Sequence, residues 1–432
     1  MNRTLKNFGK VLRGRGIAAI CGVMATALMA NALPVEQFGL VILLHTYIMV
    51  IKGFLNFRTF EAIVRFGIPL HEAGDEGGLK KLLRSTMLLD FASSGVATLV
   101  GIAAVPLAAS LLHWEMEMSI WATLYSLVLL TTPINTGSGI LRMYDRFDAL
   151  GVLYTVGPLV RLLLVSLAWA MDTSLMLFIL AWGAAFCIGN LAMIARGLWE
   201  LRRNLATPLW QDFHWRDVRE QGREFWSFIG VVYWQTSVDL LPKHLSTLLV
   251  GSLLGPGPAG LFRLARDAAT VLNQPAVLLR EVMFPDLTRT WLTNKNSFAR
   301  SAFETAFLAG SVGLLFVGLA WLVGDSLLAL IGDDYVPAKT LMVLLLLGGS
   351  FELASASLRA AAYAMGLARS ILRIHLLGIA TYLTLFYIFT RTIGLNGPGF
   401  ASIITLLLTL SLTVSLVANY DPKDHLGQIP DK

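Results

Sequence analysis

The sequence predicts an all-α polytopic membrane protein of about twelve transmembrane helices, set as two parallel six-helix repeats around a central cavity. Three observations carry this. Hydrophobic residues make up 56% of the chain and charged residues only 14%, far from the balance of a soluble domain. The apolar residues fall into runs of bilayer length, each bounded by charge or by Gly and Pro. A turn that closes the first run near residue 33 returns near residue 254, at the head of a second set of runs.

In order, the basic stretch Met1 to Gly16 leads into a first span at Ile17 to Leu33. A cleaved signal peptide shares this layout, with Ala30-Asn31-Ala32 as the cleavage mimic. The uncleaved reading is preferred because the run is long and the next segment, Phe38 to Phe57, is itself apolar and returns across the membrane. Further spans follow at about 83–112, 118–141, 150–171 and 174–196, closing an N-terminal six-helix bundle over 1–198. Residues 199–224 form a cytoplasmic amphipathic linker, with Arg202, Arg203, Arg216, Arg219 and Arg223 interleaved with Trp199, Trp210 and Trp215. A C-terminal six-helix bundle occupies 225–418, with spans at about 225–250, 258–284, 299–331, 338–365, 370–391 and 398–418, before a cytoplasmic tail at 419–432.

Lys and Arg concentrate in the N-terminus and in alternate loops, while the opposite loops hold Glu36, Glu115, Glu117, Asp172, Asp325, Asp333 and Asp334. The positive-inside rule then places both termini in the cytoplasm. The formal net charge of +6 is explained by this topology, so nucleic acid is not an expected partner. Cys21 and Cys187 lie inside apolar runs and read as small buried hydrophobes, with neither a disulfide framework nor a metal cluster in prospect.

Function is legible where hydrocarbon ought to reject the side chains. On a helical wheel of about 100° per residue, Arg263, Asp267, Thr270, Gln274 and Glu281 fall on one line, with Arg266, Asn273 and Arg280 at its edge. Residues Phe262 to Phe284 would span roughly 34 Å, so this stripe must face protein or water rather than lipid. The expectation is the wall of an aqueous cavity, kinked at Pro275; the plainer alternative is a helix whose end arginines snorkel. In the first half His45, Lys52, Asn56 and Thr59 line up similarly, with Arg58 and Arg65 on a neighbouring face where lipid headgroups are an equal alternative. Candidate coupling carboxylates inside spans are Asp90, Asp239, Glu304 and Glu352. Burial alone would raise such a carboxyl toward neutrality, whereas a neighbouring base, Lys243 for Asp239 or Arg161 or Arg359 elsewhere, would hold it charged and structural.

The chain satisfies G-x-G-x-x-G at Gly255 to Gly260, but between two hydrophobic helices and with prolines that obstruct a nucleotide-cradling turn. Walker A, HExxH and CxxC motifs are absent from the sequence, so neither enzyme chemistry nor a cofactor is expected.

The first-half turn Leu33-Pro34-Val35-Glu36-Gln37-Phe38-Gly39-Leu40 and the later pattern from Leu248 to Thr288, with its Leu-Leu-Gly-Pro turn and its Leu-Ala-Arg helix, resemble Wzx-type oligosaccharide flippases. These belong to the multidrug/oligosaccharidyl-lipid/polysaccharide exporter superfamily. The resemblance implies an inner-membrane protein with two bundles around a cationic cavity, moving undecaprenyl-pyrophosphate-linked oligosaccharide outward by alternating access for surface polysaccharide (lipopolysaccharide or exopolysaccharide) synthesis. Members that flip the peptidoglycan precursor usually carry two further C-terminal spans, which this chain lacks. Arg side chains suit such a substrate, replacing the hydration of a diphosphate with bidentate hydrogen bonds. Expected partners are the lipid-linked glycan and membrane lipids, with a polysaccharide polymerase or glycosyltransferase as a candidate on the cytoplasmic loops. A multidrug or cation exporter of the same superfamily and a membrane-embedded polysaccharide polymerase or ligase are the alternatives. The first favours an anionic, aromatic cavity, and the second a large external loop.

Overall fold

The computed structural model describes residues 2–171, 174–211, 213–215, 221–270, 295–365 and 367–419, and among these it is helical with no strand. Among the described residues, eight segments are long and apolar enough to cross a membrane. The chain divides into two compact units, Met1–Gly260 and Leu261–Lys432.

The first unit opens with α1 (Asn2–Ala32), α2 (Val35–Phe54) and the short α3 (Thr59–Ala62), which runs through one π-turn (Ile63–Gly67) into α4 (Ile68–Glu72). Then come α5 (Glu76–Ala103), α6 (Val105–Leu112), α7 (Met116–Ser126), α8 (Ile134–Met143), α9 (Phe147–Ala170), α10 (Leu175–Asn204) and α11 (Arg223–Leu254). α1 packs along α9 and buries Ala25 and Met29 completely. α9 in turn packs on α10, and α10 on α8. The core is filled by Phe38, Phe178 and Trp182. The expected span at 83–112 is interrupted where Val105 and Pro106 start a new helix. The expected span at 118–141 is broken more deeply: α7 passes into a 3₁₀ segment (Leu127–Thr131), and α8 starts only after Pro133. Pro lacks an N–H and its ring clashes with the preceding turn, which weakens the helix at these two points, although Pro158 is carried inside α9.

Hydroxyl groups explain how so many polar residues sit in these helices. Thr26, Ser85, Thr98 and Ser126 each donate to the carbonyl four residues earlier, at 2.8–2.9 Å, and so need no external partner.

The two turns whose sequences match meet each other. Gly39, in the first, and Gly260, its counterpart in the second, lie back to back. A Cβ on Gly39 would fall 1.9 Å from the Pro256 carbonyl oxygen, and one on Gly260 would fall 3.2 Å from the Gly39 Cα. Glycine is required at both because backbone passes against backbone. The intervening turn is made by Gly255 at φ 93°, a conformation that side chains disfavour.

In the second unit, residues 256–270 form α12, which begins in the first unit. It is followed by α13 (Lys295–Ala329), α14 (Ala338–Ala364), α15 (Ala368–Ile393) and α16 (Gly397–Ala418). α14 packs on α13 and α16, and α15 on α16. A cluster of Ala302, Leu358, Ala361, Leu367, Ile371 and Val417 ties the ends of these helices together.

Candidate functional site

In the first unit the polar residues of α2 lead to a small buried constellation. Lys52 lies in the last turn of α2, and its ammonium sits 4.8 Å from the centre of the Phe186 ring, a cation–π contact that substitutes for part of the lost hydration. Beside it, Asn56 follows the end of the helix, and Asn135 donates to its side-chain oxygen at 2.6 Å. Asp90, only 2% exposed, reaches in from α5. Its Oδ1 accepts from Thr59 Oγ1 at 2.7 Å, and its Oδ2 accepts from the Thr136 amide at 2.8 Å and from Thr136 Oγ1 at 2.7 Å.

The break in the 118–141 run now has a local cause and a use. α8 has Pro133 in the cap position, with no side chain to accept from its first amides. Those amides need an acceptor, and Asp90 supplies it from another helix. A carboxylate is also favoured at a helix N-terminus, where amide dipoles converge. Lys52, Asn56, Asp90, Ser93, Thr132 and Asn135 together border a pocket of about 10 Å³, room for about one water.

The other expected site residues fall differently. His45 is enclosed by Tyr125, Trp182 and Phe186, with its Nδ1 3.1 Å from the Tyr125 hydroxyl, and it does not border the pocket. In the second unit, Arg263 Nε donates to Asp267 Oδ2 at 2.6 Å, and the Arg266 guanidinium stands 5.5 Å from the Phe262 ring. Arg280, Asn273 and Gln274 lie outside the described residues, as do the side chains of Asp239 and Lys243. Glu304 forms an exposed pair with Arg300 at 2.8 Å. Glu352 receives both terminal nitrogens of Arg359, at 2.5 and 3.3 Å, which is the charged, structural alternative weighed for it from sequence. Arg161 lies over Trp182 at 4.5 Å.

Sequence reading missed Asn135 and Thr136, although Pro133 inside an apolar run was the available signal. It also missed Glu200, near the end of α10. Its side chain is 1% exposed and binds Arg146 at 2.7 Å, Arg196 at 2.6 Å and Asn204 at 3.3 Å. The Glu200 hydrogen bond raises the Arg146 pKa. Burial, with help from the same carboxylate, pushes the neighbouring Tyr144 phenol up to about 12.

With this geometry in view, comparison with known proteins is decisive at the level of family. Residues 4–291 match the polysaccharide biosynthesis protein family. The chain belongs to that family. The inner membrane protein YghQ of Escherichia coli (strain K12) is 28% identical over 338 residues, covering 76% of this chain and 92% of YghQ. The fold is that of two transporter groups. An inward-facing multidrug resistance MATE family transporter of the MOP superfamily superposes with a TM-score of 0.71 at 16% identity, covering 94% of this chain and 98% of the other. The lipid II flippase MurJ in an inward closed conformation gives 0.68 at 12% identity, covering 95% and 88%. The family member described here is therefore a multi-pass, all-α membrane protein with the two-repeat helical fold seen in those two structures.

Proposed function

We propose that this protein is a flippase that moves undecaprenyl-pyrophosphate-linked oligosaccharide across the bacterial inner membrane by alternating access, with both termini in the cytoplasm. The observation that supports it most directly is Lys52. A lysine ammonium held within a span, on an aromatic ring and beside two asparagine amides, with the Asp90 carboxylate of the same pocket already engaged by Thr59 and Thr136, is costly to keep in a membrane unless a further anion uses it. Arg266 adds positive charge in the second unit, beside the Arg263–Asp267 pair, on the stripe expected from sequence to contact phosphate. Amides such as Asn56 and Asn135 provide donors and acceptors of the kind that read sugar hydroxyls. At about 10 Å³ the pocket is too small for a glycan, so in this reading it opens during the transport cycle, as alternating access requires.

The test is deletion of the gene in a polysaccharide-producing host, followed by complementation. The flippase reading expects loss of surface glycan, accumulation of lipid-linked repeat units and rescue by the parent chain. Lys52→Glu and Arg263→Glu, at equal protein level, should rescue at least about tenfold less well, the effect of losing roughly one charged contact. Full rescue by both variants would refute the phosphate-contact role of Lys52 and Arg263, and altered drug sensitivity with surface glycan intact would refute the flippase reading in favour of a multidrug exporter.

A further inference from the structure

The second unit carries an apolar groove that none of the residues above explains. It runs between α13, α14 and α16, holds about 270 Å³ and is lined in part by Ala306, Gly310, Leu314, Ala354, Leu410 and Val414. Ser350 on its wall is already satisfied, donating to the Leu346 carbonyl at 3.0 Å. Small residues make the floor: a Cβ on Gly310 would meet that of Ala354 at 3.4 Å. Phe307, 78% exposed, and Leu314, 49% exposed, stand at the mouth, so the groove is open sideways.

Its depth and its ends limit what can fill it. The walls belong to the spans Ala302–Ala329 and Ala338–Tyr363, so the occupant is hydrocarbon rather than water. A helix, about 10–12 Å across with its side chains, does not enter a slot of 270 Å³, whereas a single flexible chain does. Phe303 lines the groove one turn after Arg300, which is 83% exposed and paired with Glu304. Ala302 and Leu358 pack with Leu367 and Ile371, which brings the exposed Arg369 to that same end. A one-chain slot with a cationic end is the complement of a lipid with one hydrocarbon tail and a phosphate head. A phospholipid would leave its second tail outside the slot.

We propose that this groove seats a stretch of the isoprenoid tail of a polyprenyl phosphate lipid, an assignment that rests on the transport reading above and adds to it where that stretch travels. The test uses the full-length protein in phosphatidylethanolamine nanodiscs with a benzophenone-bearing undecaprenyl phosphate, and maps the crosslinks by mass spectrometry. Crosslinks are expected beside Gly310 and Ala354. They should fall about tenfold in Leu314→Trp, which caps the mouth, and in Ala354→Phe, which fills the floor, and should survive excess phosphatidylglycerol. Leu314 is exposed, so its variant decides the matter if Ala354→Phe does not fold. Unchanged labelling in Leu314→Trp, or labelling confined to other helices, overturns the proposal. Displacement by phosphatidylglycerol overturns it too, and assigns the groove to bulk phospholipid. Glycan export by the same variants separates the two readings: export by the parent chain without groove labelling sinks the groove alone, while groove labelling in a chain that rescues no export sinks the transport reading alone.

Discussion

Replacing Asp90 tests the most tightly built part of the first unit. Its carboxylate meets the Thr136 amide, the Thr136 hydroxyl and the Thr59 hydroxyl, all at 2.7–2.8 Å. In Asp90→Ala these donors lose their acceptor. The two hydroxyls can turn back to helix carbonyls, but the amide cannot, and a buried donor left unmet costs about 1–3 kcal/mol. In Asp90→Asn one oxygen remains, while the new NH₂ group faces donors, so a cost of about the same size is expected. At about 1.4 kcal/mol per factor of ten, the start of α8 should open about 10–100-fold more often. Hydrogen exchange read by mass spectrometry on the intact protein in nanodiscs measures this directly, through peptides covering Ile134 to Met143. Protection there should drop while that of α1 and α9 holds. If both variants are monodisperse and exchange at Ile134 to Met143 like the parent, Asp90 does not cap α8 and the account of the broken span fails.

Three further outcomes are expected. Gly39→Ala would place a methyl 1.9 Å from the Pro256 carbonyl oxygen, so the two turns must separate; yield of folded protein by size-exclusion chromatography should drop sharply, whereas Gly9→Ala, with open space around it, should behave as the parent. Glu200→Gln removes the charge that Arg146 and Arg196 share and should lower stability by about 1–3 kcal/mol, visible as an earlier melting transition; an unchanged transition would mean the network is decorative. Glu304→Gln breaks only an exposed pair with Arg300, so melting and glycan export should both stay as in the parent, and a loss of export would restore Glu304 as a coupling carboxylate.

Legibility followed the physics of each feature. The spans were readable because bilayer thickness fixes a length and a composition. The matching turns were readable because glycine was needed wherever backbones meet, as at Gly39 and Gly260. The break at 127–133 was hidden: the residues on either side are as apolar as a continuous helix, and only Pro133 marked it. Among the described residues the charged side chains lie on the helices expected, but apart from Glu352 with Arg359 their partners were not foreseen. Arg263 and Asp267 share a wheel position, yet their 2.6 Å bond depends on rotamers that helical spacing permits without dictating. Lys52 and Asp90 were each singled out separately, and their common border on one pocket arises from packing between segments far apart in the chain.

The Asp90 clasp also bears on how the chain is made. Thr59 precedes Asp90 during synthesis, but Thr136 follows it by 46 residues. A carboxylate near the middle of a membrane segment costs roughly 2.5–3.5 kcal/mol at insertion, and until Thr136 leaves the ribosome half of its acceptor capacity is unmet. α5 therefore gains from lingering beside the translocon until the 118–141 region arrives, so that the two enter the lipid as partners and assembly order is written into a single side chain.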